Sequence, residues 1–192
     1  MKINVYDFDG TIYDGDSSVD FYLFCIKKRK KILCRIPSFC FTILLYLLKK
    51  RSKEELKENY FSFLNDFDNI DKLIDDFWIN HSKKIKQFFL EKDHSNDIII
   101  SASPYFLLNP ICTELGIKDL IATDVDKNTG KFLGLNCYGE EKVNRLRNKY
   151  KKVIIDEFYT DSLSDMPLIK ISNVSYIVKK DQITPCKSDG RE

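Results

Sequence analysis

Apolar and polar positions follow two periods along the chain. Residues 3–6 (Ile-Asn-Val-Tyr) alternate and run into Asp7-Phe8-Asp9-Gly10-Thr11, which predicts a strand delivering polar residues into a turn. Four further segments predict strands: 97–101 (DIIIS), 120–124 (LIATD), 153–159 (VIIDEFY) and 174–178 (VSYIV). The runs Ile98-Ile99-Ile100 and Val153-Ile154-Ile155 are unbroken, as in strands covered on both faces. Helical spacing fills residues 105–115 and 140–150. Strands alternating with helices predict an α/β fold with a doubly wound, Rossmann-like parallel sheet.

A different pattern separates the first two strands. No glycine occurs between Gly15 and Gly116, and Pro37 and Pro104 are the only prolines among the first 109 residues. Leu56, Tyr60, Phe61, Leu64 and Phe67 recur at helical spacing, and Ser52-Lys-Glu-Glu55 has the form of a capping box. The chain therefore divides into a core of residues 1–14 and 91–192 and an all-helical cap of residues 15–90, inserted after the first strand.

Charge changes this picture. The whole chain of 192 residues has 31 Lys+Arg against 29 Asp+Glu, a net +2 that suggests no anionic partner. Residues 27–53, however, hold ten bases (27–31, 35, 49–51 and 53) and no acid. They enclose 36–48 (IPSFCFTILLYLL), an apolar run about 20 Å long as a helix, short of the ~30 Å hydrocarbon core. Cationic flanks on both sides also oppose crossing, so the run predicts either a buried cap helix or a segment lying on an anionic membrane surface.

The six cysteines (25, 34, 40, 112, 137, 186) form no CxxC, and the chain runs straight into its first strand without a secretory pattern. They read as reduced thiols of a cytoplasmic protein, peripheral at the inner face of the membrane if the basic segment docks there. Zinc spacing is absent. His81 and His94 lack a nucleophilic partner nearby and read as surface or cap-packing residues.

The candidate chemistry gathers at one rim of the predicted sheet. Asp7 and Asp9 stand two apart where the first strand ends, at the edge where open α/β sheets bind ligands. Ser101 ends the second strand, Lys142 begins a helix after Gly139, and Asp161 and Asp165 flank the turn after residues 153–159. Singly, these are turn acids, a helix cap and a solvated lysine. Together they are two acid pairs, a hydroxyl and a lysine in one place.

These motifs resemble those of the haloacid dehalogenase superfamily of phosphohydrolases. DxDGT matches residues 7–11, an apolar run ending in Ser or Thr matches 98–101, the lysine matches Lys142, and GDSxxD matches 160–165 with Thr160 where glycine is usual. SASP at 101–104 and GEEKVNRL at 139–146 are most similar to the branch that includes phosphoserine phosphatase, in which a helical cap follows the first motif.

The resemblance implies Asp7 as a nucleophile forming an aspartyl phosphate, ionised at pH 7 at its reference pKa of about 3.9. It implies Asp9 as general acid and base, its pKa pushed up by the neighbouring Asp7 charge, with Thr11 orienting it. Magnesium would be bound by Asp7, Asp161 and the backbone carbonyl of Asp9, with Asp165 beside it directly or through water. Lys142, the Ser101 hydroxyl and the backbone amides of Phe8 and Ala102 would stabilise the phosphoryl oxygens.

For the substrate, Asp16 stands where phosphoserine phosphatase-like enzymes carry a Glu that holds the substrate amino group, one methylene shorter. No partner arginine for a substrate carboxylate stands out. The basic, apolar insertion and 136–143 (NCYGEEKV) are also similar to the branch acting on phosphatidylglycerophosphate. The expected partner is thus a phosphorylated small molecule or a lipid phosphate. Two non-enzyme readings are weaker: a receiver-like signalling module lacks the DFDGT spacing and the insertion, and the basic run borders apolar residues rather than the interleaved aromatics of a nucleic-acid site.

Overall fold

The computed structural model describes residues 2–117 and 119–186. Six strands form one sheet in the order β3-β2-β1-β4-β5-β6: β1 (Lys2–Tyr6), β2 (Asp97–Pro104), β3 (Asp119–Thr123), β4 (Ile154–Thr160), β5 (Ser172–Lys179) and β6 (Gln182–Cys186). The first five pair in parallel, as expected, and β6 runs antiparallel to β5. The periodicity does not announce β6, which contains Pro185 and few apolar residues. It is tolerated as a strand because an edge position leaves one side without ladder partners.

Helices α1 (Ser17–Lys28), α2 (Ile36–Leu47), α3 (Lys53–Phe61), α4 (Ile70–His81) and α5 (Gln87–Leu90) lie between β1 and β2. After β2 come α6 (Tyr105–Glu114), then α7 (Glu140–Lys149) between β3 and β4, and α8 (Met166–Ile171) between β4 and β5. Strand β1 is central and its neighbours β2 and β4 lead away on opposite sides. The C-terminal end of β1 therefore lies at the switch point of the sheet, where a crevice opens.

Strand alternation divides the interior in two. Val5, Ile98, Ile100, Ile155 and Phe158 pack with Val143 and Leu146 of α7 and Leu168 of α8. On the other face Tyr6, Ile99 and Tyr159 join Leu107 and Ile111 of α6 and, without interruption, Phe8, Phe21, Phe77, Trp78 and Phe89. One cluster thus runs from the sheet into the helical insertion. The Trp78 indole N–H crosses the join to donate to the Leu107 carbonyl at 2.7 Å.

Local signals account for the helices that pack. In α4 the buried positions Ile70, Leu73, Ile74, Phe77 and Trp78 follow the i, i+3, i+4 spacing, and Asn69 caps the start by accepting from the Lys72 amide. The expected capping box forms at α3, with both the Ser52 and Glu55 side chains engaged. Helical structure stops at Phe61, and a 3₁₀ turn carries Phe63 and Leu64 into the core, so the spacing through Phe67 is not one helix.

Helix α2 is different. It buries no residue, and Phe41 and Leu47 are 61% and 70% exposed. The buried-helix reading of this segment is therefore overturned: α2 is held on one side only, by Phe39 against Tyr60 and by Asn59 donating to the Ser38 hydroxyl. No described helix is long and apolar enough to cross a membrane. All six cysteines are free, with Cys25, Cys112 and Cys137 buried. His81 stacks on Phe77 in the insertion, as expected, whereas His94 is buried in the core with one ring nitrogen 2.7 Å from Asp97.

Candidate active site

The ends of β1, β2 and β4 and the start of α7 converge on a cleft of about 500 Å³. Asp7, Asp9, Asp16, Ser101, Ala102, Lys142, Asp161 and Asp165 all line it. Residues as distant in the chain as Asp7 and Asp165 meet because parallel strands end at the same rim.

Lys142 is the electrostatic centre. It is 2% exposed, and its ammonium donates to Asp7 Oδ1 at 3.0 Å and Asp165 Oδ2 at 2.8 Å. Burial alone would release its proton, but the two carboxylates outweigh burial and hold the ammonium more basic than an ordinary lysine. Asp165 is 1% exposed and also accepts from the Thr160 hydroxyl at 2.9 Å. The departure from glycine at position 160 therefore supplies a donor.

Asp7 accepts from the Phe8 amide at 2.9 Å as well as from Lys142. Burial raises its pKa against the pull of Lys142, with Asp165 adding to the rise. Asp7 is thus not the ordinary carboxylate that the reference value suggests. Asp9 is pushed up to about 6, first by burial and then by Asp16, rather than by Asp7 as the sequence implied. Its oxygens accept from the Ser17 amide at 2.6 Å and from the Ser103 hydroxyl.

Asp161 reaches the cleft over Gly10, which has φ +70°. A Cβ there would lie 2.2 Å from Asp161 Oδ2, so glycine is required for this close approach. Burial also raises the Asp161 pKa. The Gly10 carbonyl is gripped by the Lys86 ammonium at 2.6 Å, which fixes the turn from the insertion side.

Two expected residues do not meet the cleft through their side chains. Phe8 is fully buried in the aromatic core, and its amide is already committed to Asp7. Thr11 is fully buried with its hydroxyl unpartnered, so it does not orient Asp9; Ser103 and the Ser17 amide do. Asp16 caps α1 by accepting from the Val19 amide at 2.9 Å while still facing the cleft.

The sequence reading missed Ser103, Lys57, Tyr60 and Tyr138, all of which line the cleft. Ser103 was signalled by its place two residues after Ser101 on the same strand face. Lys57 carried no local signal: it comes from α3 and is aimed by tertiary packing.

The site has the chemistry of a divalent-cation centre without already being closed around one. Among the described residues no group of three or more acidic, cysteine or histidine side chains is gathered tightly enough to hold a metal ion by itself, two carboxylates being drawn to Lys142. Yet Asp165 Oδ1 is buried without a partner, and the Asp7 and Asp161 carboxyls are raised in pKa, first by burial and against the pull of Lys142.

Residues 5–170 match the family of haloacid dehalogenase-like hydrolases, and the chain belongs to that family. It is similar to a histidinol-phosphatase of Neisseria meningitidis serogroup C (strain 8013), with 23% identity over 94% of this chain and 91% of the relative. A protein of unknown function from Bordetella pertussis Tohama I has the same fold, with TM-score 0.72, 18% identity and 91% and 88% of the two chains covered. So does a phosphoserine phosphohydrolase-like protein from Francisella tularensis subsp. tularensis SCHU S4, with TM-score 0.56, 16% identity and 91% and 86% covered. Membership of that family makes the chain a hydrolase by class.

Proposed function

We propose that the protein hydrolyses phosphomonoesters through an aspartyl-phosphate intermediate on Asp7. The observation that carries this reading is the convergence of Asp7, Asp9, Ser101, Lys142, Asp161 and Asp165 on one cleft. Asp7 Oδ forms a bond to phosphorus as the ester P–O bond breaks, and the leaving oxygen takes a proton from Asp9. Asp9 then takes a proton from water, whose oxygen attacks the aspartyl phosphate and frees Asp7 and inorganic phosphate. A pKa near 6 suits both duties close to neutrality. Lys142 and the Ser101 hydroxyl offer positive charge and a donor to the phosphoryl oxygens.

Magnesium fits the oxygen-only donor set. Asp7, Asp161 and the Asp9 carbonyl would hold it with Asp165 beside it, and when bound it supplies charge neutralisation for the phosphoryl group. The helical insertion of residues 15–90 serves as the cap that selects the leaving group. The test is release of phosphate from a chromogenic phosphate ester with and without magnesium. Turnover undiminished by chelation would remove the metal from this reading, and full turnover by Asp7→Asn would remove the nucleophile.

For the leaving group, α2 favours a lipid phosphate presented at an anionic membrane surface. Ile36, Phe41, Leu44, Leu47 and Leu48 are exposed there, and Lys27, Lys30, Lys31, Lys49 and Lys50 make no ion pair among the described residues. Apolar surface beside unpaired ammonium groups matches an acyl and headgroup boundary. Co-sedimentation with vesicles containing phosphatidylglycerol at low salt is expected; no binding there would leave a soluble, phosphoserine-like metabolite as the substrate class.

A further inference from the structure

The cleft contains a cation that the proposed chemistry does not use. Lys57 projects from α3 of the insertion to the end of β2, where its ammonium donates to the Ala102 carbonyl at 3.1 Å and to Asn136 Oδ1 at 2.9 Å. Both acceptors are neutral. Among the described residues no carboxylate lies within ion-pair distance of it, whereas Lys142 has two. An ammonium has three N–H donors, so one remains without a protein acceptor in a residue that lines the cleft.

The seat is built rather than accidental. Asn136 is 6% exposed and is itself fixed by the Thr123 hydroxyl at 3.2 Å. One turn earlier on α3, Lys53 lies 3.4 Å from the centre of the Tyr138 ring, pinning the same helix to the same loop. Burial and then Lys53 lower the Lys57 pKa to about 8, outweighing the opposite pull of Asp16, Asp9 and Glu54, none of which pairs with the ammonium. Half-buried positive charge without a counter-ion is costly unless a ligand supplies one.

Position decides which part of a ligand that is. Ala102 sits between Ser101, which faces the phosphoryl site, and Ser103, which holds Asp9. The ammonium is therefore beside the reacting centre and on the insertion side of it, where a leaving group would lie. We propose that Lys57 binds a second anionic group on the leaving group, so that the preferred substrates are phosphomonoesters that also carry a carboxylate or a phosphodiester a few bonds from the ester oxygen. This assignment rests on the phosphatase reading and specifies its substrate class.

The experiment compares matched substrates in wild type, Lys57→Met and Lys57→Arg with magnesium present. One pair is O-phosphoserine and phosphoethanolamine, which differ by the carboxylate. The other is a short-chain phosphatidylglycerophosphate and glycerol 3-phosphate, which differ by the phosphodiester and the diacylglycerol it carries, the dependence on Lys57 separating the charge from the acyl chains. Wild type should prefer the member with the second anion in at least one pair, and Lys57→Met should reduce that preference in kcat/KM by about 10- to 100-fold, the range for a lost charge-assisted hydrogen bond. Lys57→Arg should recover part of it, and thermal midpoints should show that both variants fold. The pair that responds identifies carboxylate or phosphodiester.

An equal loss on both members of each pair would overturn the proposal and place Lys57 on the phosphoryl group or in a structural strut. Wild type with no preference in either pair would overturn it as well. Failure of wild type to release phosphate from any of these esters, or from a chromogenic one, would instead defeat the phosphatase reading and this proposal with it.

Discussion

Two regions invert the usual placement of charge and apolar surface. At the rim of the sheet, Asp7, Lys142 and Asp165 are charged groups in the interior; on α2, Phe41 and Leu47 are apolar groups in solvent. Lys142, Asp7 and Asp165 are compensated within the chain, since Lys142 donates to both carboxylates and Asp165 also accepts from Thr160. Helix α2 has no such compensation. Equal in length to α4, at twelve residues each, it is more apolar yet buries nothing, while α4 buries five side chains. Burial is thus decided by whether apolar residues share a face that meets the core, and not by how many a helix contains. Apolar surface without an internal partner points outward to an external one, whereas internally paired charge points to chemistry.

The difference between the regions sets the order of expected effects. Asp7→Asn should reduce phosphate release on the order of 10³-fold or more, as loss of a nucleophile does, with the circular dichroism spectrum retained. Lys142→Met should cost about 3–5 kcal/mol in denaturant titration, because it strands two buried carboxylates; a near-neutral effect would mean that the rim is hydrated rather than internally compensated. Phe77→Ala, at 0% exposure in the shared cluster, should cost about 3–5 kcal/mol by cavity formation.

A pH test follows from Asp9, whose pKa rises to about 6 in the fold through burial and then Asp16. A carboxyl group raised on folding binds its proton more tightly in the folded state. Its contribution is fully present below the unfolded pKa of about 4 and is lost as pH rises through about 6. In chelator, wild type should lose about 2–3 kcal/mol relative to Asp9→Asn over that interval. A parallel course for the two proteins would show that Asp9 is not the group responsible. The smallest effect belongs to α2: Phe41→Ser with Leu47→Gln should change stability by no more than about 1 kcal/mol, as exposed sites do, while lowering vesicle binding.

Much of the site could be read from residue order because its members end strands or begin a helix, and a parallel sheet brings such ends to one rim. Asp7, Asp9, Ser101, Lys142, Asp161 and Asp165 all met that condition. The readings that needed side-chain direction fared less well. Thr11 lies beside Asp9 in sequence, yet its hydroxyl is buried apart from it, and Ser103 from another strand takes the role. Strand β6 escaped notice because an edge strand needs neither alternation nor freedom from proline.

By itself the sequence determined the α/β core, the helical insertion and the set of acids at the rim, since these follow from periodicity and strand ends, which are local. Tertiary structure alone decided that α2 lies outside, that Lys142 sits between Asp7 and Asp165, and that Lys57 enters the cleft from α3. Each of these depends on which surfaces meet, and a long side chain on a helix can point to solvent or to a cleft with the same local pattern. The net charge of +2 averaged those outcomes away: it summed an interior cluster built around Lys142, exposed bases of which only some are paired, and a cleft ammonium whose hydrogen-bond acceptors are neutral.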